Sequence, residues 1–133
     1  IINNNMTSKL QLLSAFKTQL ISFCEELCEL LPDDNEEFIL LKIFIDSQIP
    51  IELAMQNFIK KINKNDGEIR NMIKERNDQF FLTKNVFKFV SKEKINKLSS
   101  VWNSNKLDAE DKDAIWRWMD LFVNISVKYQ QAH

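Results

Sequence analysis

Cys24 and Cys28 stand four residues apart, a spacing that puts both thiols on one face of a helix, where they could ligate a metal or act as nucleophiles. Neither chemistry is completed by the rest of the chain. A zinc site wants three or four Cys, His or acidic ligands, and the single histidine is the terminal His133. The two cysteines are poorly placed to bridge each other, so reduced thiols in an intracellular protein are the simpler reading. Asp33, Asp34, Glu36 and Glu37 offer paired carboxylates for acid–base work, but they gather at a helix start, where acidic side chains are expected for capping. Without a usable histidine there is no ordinary Ser-His-Asp or Cys-His arrangement, and one glycine cannot build a Gly-rich phosphate loop. The expectation is a non-enzymatic protein with no metal and no cofactor.

Charge is the next chemistry on offer. Between Glu25 and Glu52 nine acidic residues face one lysine, whereas between Lys84 and Lys106 six lysines face the single Glu93, and the whole chain nets to −1. Lys84, Lys88, Lys92, Lys94 and Lys97 form a candidate basic patch. Recognition of phosphates normally brings arginine, and none stands between Arg76 and Arg117. No specific nucleic acid is expected there, and a solvated or acid-facing surface is favoured.

The elements that must hold these residues are helices. With 133 residues and 44% hydrophobic content the chain is the size of one domain with a core of its own. One glycine and two prolines are far too few for strands joined by repeated tight turns. No run approaches the roughly 20 apolar residues of a membrane helix, and the start lacks a basic region followed by an apolar stretch, so neither insertion nor secretion is expected. Ile1 to Asn5 precede Met6 and read as sequence upstream of a natural start or an expression remnant. Residues 1–7 are therefore set outside the fold, disordered or foreign to it, and residues 8–131 form a single helical-bundle domain.

Ser8 can cap a first helix whose Leu13, Phe16, Leu20, Phe23, Leu27 and Leu30 step by three and four, ending at Leu31-Pro32. Asp34 with Glu37 three places on is a capping-box-like start for a second helix, Phe38 to about Ser47. Pro50 suits the first turn of a third, with Ile51, Met55, Phe58, Ile59 and Ile62 in register until Asn65-Asp66-Gly67 breaks or bends it. A short helical piece through Ile69, Met72 and Ile73 leads to an anchoring junction at Asp78 to Leu82. Val86, Phe87, Val90, Ile95, Leu98, Val101 and Trp102 mark a further helix, bent near Ser91.

The last helix begins at Asp108, with Asp111 three places on, and runs to about Gln130. Ile115, Trp118, Phe122, Ile125 and Tyr129 form one apolar stripe, and Trp116, Met119, Val123 and Val127 form another beside it. Arg117, Asp120, Asn124 and Lys128 are left on one polar line, along which Asp120 and Asn124, or Arg117 and Asp120, can pair. Such a helix belongs in the middle of a bundle, with its tryptophans in the core. The fold expected is all-α, a single compact bundle of about five to six helices with a largely buried C-terminal helix.

The first helix carries more apolar surface than one stripe. Leu12, Ile21, Cys24, Cys28 and Leu31 make a second flank, either packed by neighbouring helices of the same chain or left to a docking partner.

Met6-Thr7-Ser8-Lys9-Leu10, Phe16-Lys17-Thr18-Gln19-Leu20, Phe23-Cys24-Glu25-Glu26-Leu27 and Leu31-Pro32-Asp33-Asp34 follow one another in an order that resembles the opening of small proteins encoded by nucleocytoplasmic large DNA viruses, with their FNTQL, FFEDL and FPED patterns. Asp78-Gln79-Phe80-Phe81-Leu82 and Ala114-Ile115-Trp116-Arg117-Trp118-Met119, similar to a terminal IWKYL, carry the likeness along nearly the whole chain from Met6. Lys17 and Cys24 depart from it, standing where asparagine and phenylalanine belong, and the final helix is shorter and richer in tryptophan. The resemblance implies an all-helical protein of a virus in a eukaryotic host, placed in the host cytoplasm or the virion, and it carries no catalytic residue. The function expected is that of a small virion structural component or assembly factor that docks viral structural proteins or further copies of itself. The alternative is an infected-cell regulator that binds a host protein helix in the manner of the Bcl-2 fold, or, less favoured, nucleic acid. Against the Bcl-2-like reading, that fold's Asn-Trp-Gly-Arg motif is missing and Trp102-Asn103 replaces little of it.

Overall fold

Helix α1, Lys9–Leu30, opens at a reciprocal cap. The Ser8 hydroxyl accepts from the Gln11 N–H at 3.1 Å, and the Gln11 side-chain oxygen accepts from the Ser8 N–H at 3.0 Å. A 3-10 turn, Pro32–Asp34, then leads into α2, Asn35–Ser47, and three residues separate that helix from α3, Ile51–Lys74. The short α4, Gln79–Thr83, is followed by α5, Lys92–Trp102, and α6, Ala109–Gln131. This computed structural model describes residues 8–84 and 91–132, among which there is no strand. The expected helical tract through Val86, Phe87 and Val90, and residues 1–7, lie outside the described residues.

The architecture is the all-α bundle that composition implies. Helices α1, α3 and α6 pack on one another around Phe16, Phe58 and Phe122, all fully buried. The Phe16 ring lies 5.7 Å from Phe58 and 5.9 Å from Phe122, and Phe23 lies 5.7 Å from Phe122 and 5.5 Å from Trp118. A second aromatic group closes the other end, with Trp116 of α6 between Trp102 of α5 at 5.6 Å and Phe80 of α4 at 6.0 Å. Offset and edge-on rings at such separations attract beyond their burial alone. Phe80 is thus the anchor that the Asp78 to Leu82 junction needed.

Helix α6 opens on Asp108, whose carboxylate accepts from the Asp111 N–H at 2.7 Å while Asp111 accepts from the Asp108 N–H at 3.2 Å. It buries Ile115, Trp116, Met119, Phe122, Ile125 and Tyr129, and its shoulders, among them Trp118 and Leu121, are half-buried. Trp118 stops short of full burial because its indole N–H turns outward and donates to Glu26 of α1. The pairing expected along the polar line does not form. Arg117 instead binds Asp113 one turn back at 3.0 Å, and Asp120 is clamped by Arg76 across the bundle through two bonds of 2.9 and 2.6 Å.

Helix α3 is broken where Asn65-Asp66-Gly67 foretells. Lys64 turns extended, and Asn65, Asp66 and Gly67 follow in the left-handed region at φ 54, 60 and 81°. The bend is tied down by Glu68, which accepts from the Asn65 side-chain amide at 3.1 Å and pairs with Lys84 at 3.4 Å. These contacts hold the Glu68 carboxyl below its ordinary pKa, the Asn65 hydrogen bond most of all. At its far end α3 stops in a two-bond C-terminal motif, Arg76 N–H to Ile73 O and Asn77 N–H to Met72 O. Arg76 takes the left-handed position there at φ 55°, usually a glycine's, and its guanidinium both clamps Asp120 and lies over the Trp116 ring at 5.7 Å.

Candidate docking face

Helix α2 carries apolar residues on both its sides, FILLKIFI in its middle, yet it packs on α1 and makes no comparable contact with any other described helix. The inward side is supplied by buried Ile45 with Phe38 and Leu41 half-buried against the core. The outward side is left to water. Ile39 (45% exposed), Leu40 (56%), Ile43 (54%) and Phe44 (38%) form two i,i+4 pairs side by side, a continuous apolar stripe about two turns long. Leu53, 54% exposed in the first turn of α3, lies just past the connection. Single exposed apolar residues are ordinary on a protein surface, but four adjoining ones on one helical face are a patch.

Acidic residues border this stripe. At the N-terminal end stands Glu36 on the stripe's own line, with Glu37 along one edge and Asp46 along the other, as helical spacing requires. The one base on α2, Lys42, stands one turn before Asp46 and is bound by Glu25 of α1 at 3.0 Å. Lysines from the basic segment do reach this end of the helix. Lys97 of α5 sits 3.0 Å from both Asp34 and Glu37, and Lys106 lies 3.5 Å from Asp34. The two charge blocks read from the sequence therefore meet inside one chain. Asp34 is held below the ordinary carboxylate pKa, first by the hydrogen bond from Lys97 and then by the charge of Lys106 and Lys97. Its carboxylate does not cap α2, a correction to the capping-box reading, because the two lysines engage it instead.

The second flank of α1 is largely covered within the chain. Leu12, Cys24 and Leu31 are buried, and Ile21 and Cys28 are half-buried, because α2 lies along one side of α1 while α3 and α6 cover the other. The Cys28 thiol donates to the Asn35 carbonyl at 3.6 Å, and burial pushes its pKa up, away from the thiolate that metal binding or nucleophilic attack requires. The two cysteines are not joined in a disulfide. The candidate basic patch is likewise not a free positive surface where it is described. Lys84 is paired to Glu68 of α3, the exposed Lys97 is paired to the acidic end of α2, and Lys92 is exposed as well. Lys88 and the side chain of Lys94 lie outside the described residues.

Two open grooves are lined by described residues, and neither assembles acid–base chemistry. One, of about 270 Å³, is lined by Glu26, Arg117 and Trp118, but Glu26 accepts from Trp118 and Arg117 is held by Asp113. The other, of about 180 Å³, lies at the α3 bend, where Glu68 is already the shared partner of Asn65 and Lys84. Among the described residues no three of His, Cys, Asp and Glu come together to hold a metal ion, and no helix is long and apolar enough to cross a membrane.

No family model matches this chain, and neither a curated protein nor a solved structure matches it. The signal for the α2 face was present in the sequence as a helix with apolar residues on both sides. Spacing alone did not tell which side the bundle would leave uncovered.

Proposed function

We propose that the protein is a non-enzymatic interaction protein that docks a protein partner on the outward face of α2, and that it serves a large DNA virus as a small virion component or assembly factor. The observation that carries the docking reading is the exposed stripe of Ile39, Leu40, Ile43 and Phe44 on a helix whose other side is seated on α1. Together these side chains leave on the order of 300–500 Å² of apolar surface in water, the range in which a patch on a monomer is often functional. The viral setting is supported by the ordered motifs from Met6 to Met119.

Site-specific photo-crosslinking in infected cells tests both parts. A photoreactive residue at Ile43 is expected to capture one discrete protein, while the same group at exposed Lys60 on α3 captures none preferentially. Capture of another particle protein supports assembly, and capture of a host protein transfers the role to regulation in the infected cell. Equal labelling from Ile43 and Lys60 overturns docking through α2.

A further inference from the structure

Resting on that reading, we infer that the α2 face receives an amphipathic helix whose apolar stripe is bordered by lysine or arginine. The stripe is two turns long and one helix wide, the footprint that a partner helix fills with anchors at i, i+3 or i+4, and i+7. Its area falls short of the roughly 800 Å² per partner of a standard interface, so a single helix fits where a broad globular surface would not.

Charge then selects among helices. Glu36 and Asp46 are exposed at the end and edge of the stripe, Glu52 is exposed just beyond it, and none of the three forms an ion pair among the described residues. The one basic side chain of α2, Lys42, is already engaged by Glu25 of α1. The acidic end of the same helix already takes lysines from another element, Lys97 at 3.0 Å from Asp34 and Glu37, so the geometry in which a basic helix satisfies acidic residues here exists within the fold. A second copy docking face to face is disfavoured. Antiparallel pairing sets Glu36 of one copy against Asp46 of the other, parallel pairing sets each acid against itself, and like charges across an interface act against the wrong partner. An anionic lipid surface is repelled by the same acidic border.

Two synthetic peptides with one leucine face, bordered in one by lysine and arginine and in the other by glutamate, separate these occupants in a fluorescence-anisotropy titration. The basic peptide is expected to bind and to weaken with added salt. Its affinity should fall roughly tenfold or more on Ile43→Asp, as for a central anchor, and by a smaller factor in the Glu36→Gln, Asp46→Asn double variant, with loss of the salt dependence. Circular dichroism melts check that each variant is folded. Equal binding of the two peptides, or binding of neither, overturns the basic-helix assignment. So does a dimer in sedimentation that Ile43→Asp dissolves, or flotation of the protein with anionic vesicles. Failure of the docking reading itself looks different, because the Ile43 crosslink then captures nothing above the Lys60 control.

Discussion

Phe122→Ala probes the centre of the bundle. The ring is fully buried and lies against Phe16 at 5.9 Å and Phe23 at 5.7 Å of α1 and Trp118 at 6.0 Å of α6, so it links α1 to α6. Truncating a core phenylalanine costs about 3–5 kcal/mol through lost transfer energy and the cavity left behind. Each ring pair adds about 0.5–1.5 kcal/mol beyond burial, which places this site in the upper part of that range. The native state of a small domain is worth about 5–15 kcal/mol, so the alanine variant should remain folded only marginally. Phe122→Leu keeps most of the volume and loses the rings, for which about 1–2 kcal/mol is expected. Urea unfolding followed by circular dichroism measures both, as a shift in midpoint at unchanged slope. A double-mutant cycle of Phe122→Leu with Phe16→Leu should show a coupling of about 0.5 kcal/mol or more, as contacting residues do. An alanine variant that loses less than about 1 kcal/mol, or a leucine variant as unstable as alanine, would refute the aromatic hub.

Asp34 should make stability depend on acid. Its folded pKa is depressed by Lys97 and Lys106, so its contribution is complete above its unfolded pKa of about 3.9 and is lost as pH falls through the lower folded value. Denaturant midpoints measured across that acidic window should fall more steeply for the wild type than for Asp34→Asn, which lacks the contribution already at neutral pH; parallel curves would remove Asp34 from the linkage. At the α3 bend, Gly67→Ala should cost about 1–2 kcal/mol from its left-handed backbone. The added Cβ meets only the mobile end of Arg70 at 2.9 Å, so a melt as low for Arg70→Ala, Gly67→Ala as for Gly67→Ala alone confirms that backbone and not crowding is responsible. Arg76→Gly should relieve about 1 kcal/mol of left-handed strain while losing the Asp120 clamp, whereas Arg76→Ala loses the clamp and keeps the strain. The expected order of melting temperatures is therefore Gly above Ala, and the reverse order would sink the account of that helix end.

Local chemistry was the legible part of the sequence. Ser8, and Asp108 with Asp111, cap their helices, and Asn65-Asp66-Gly67 breaks α3, because such residues act on their own backbone within a few positions. What depends on which helix lies beside which was not legible in the same way. Asp34 has the type and spacing of a cap, but Lys97 arrives from more than sixty residues away and takes its carboxylate. Asp120 has Arg117 and Asn124 at helical distance, and the bidentate fork of Arg76 takes precedence because two aligned charged hydrogen bonds outweigh one flexible surface pair. The apolar flank of Leu12, Cys24 and Leu31 suited a partner as well as a neighbour until α2 was found lying along α1.

The same placement that closes α1 opens α2. A helix in the middle of a bundle can cover two apolar flanks, whereas an edge helix has only one neighbour, and apolar residues on its far side gain nothing from folding. If Leu40 and Ile43 serve a partner, the isolated fold should not need them. Leu40→Gln and Ile43→Gln each replace a side chain more than half exposed, with helix propensity kept or slightly improved, so each should change stability by no more than about 0.5 kcal/mol. Ile45→Gln on the buried side of the same helix should by contrast cost several kcal/mol, since it places an amide in an apolar environment. Urea unfolding of the three variants separates the sides of α2 without any partner present. A loss at Leu40 or Ile43 comparable to that at Ile45 would show that the outward stripe belongs to the fold, and would leave no apolar face for a partner helix to occupy.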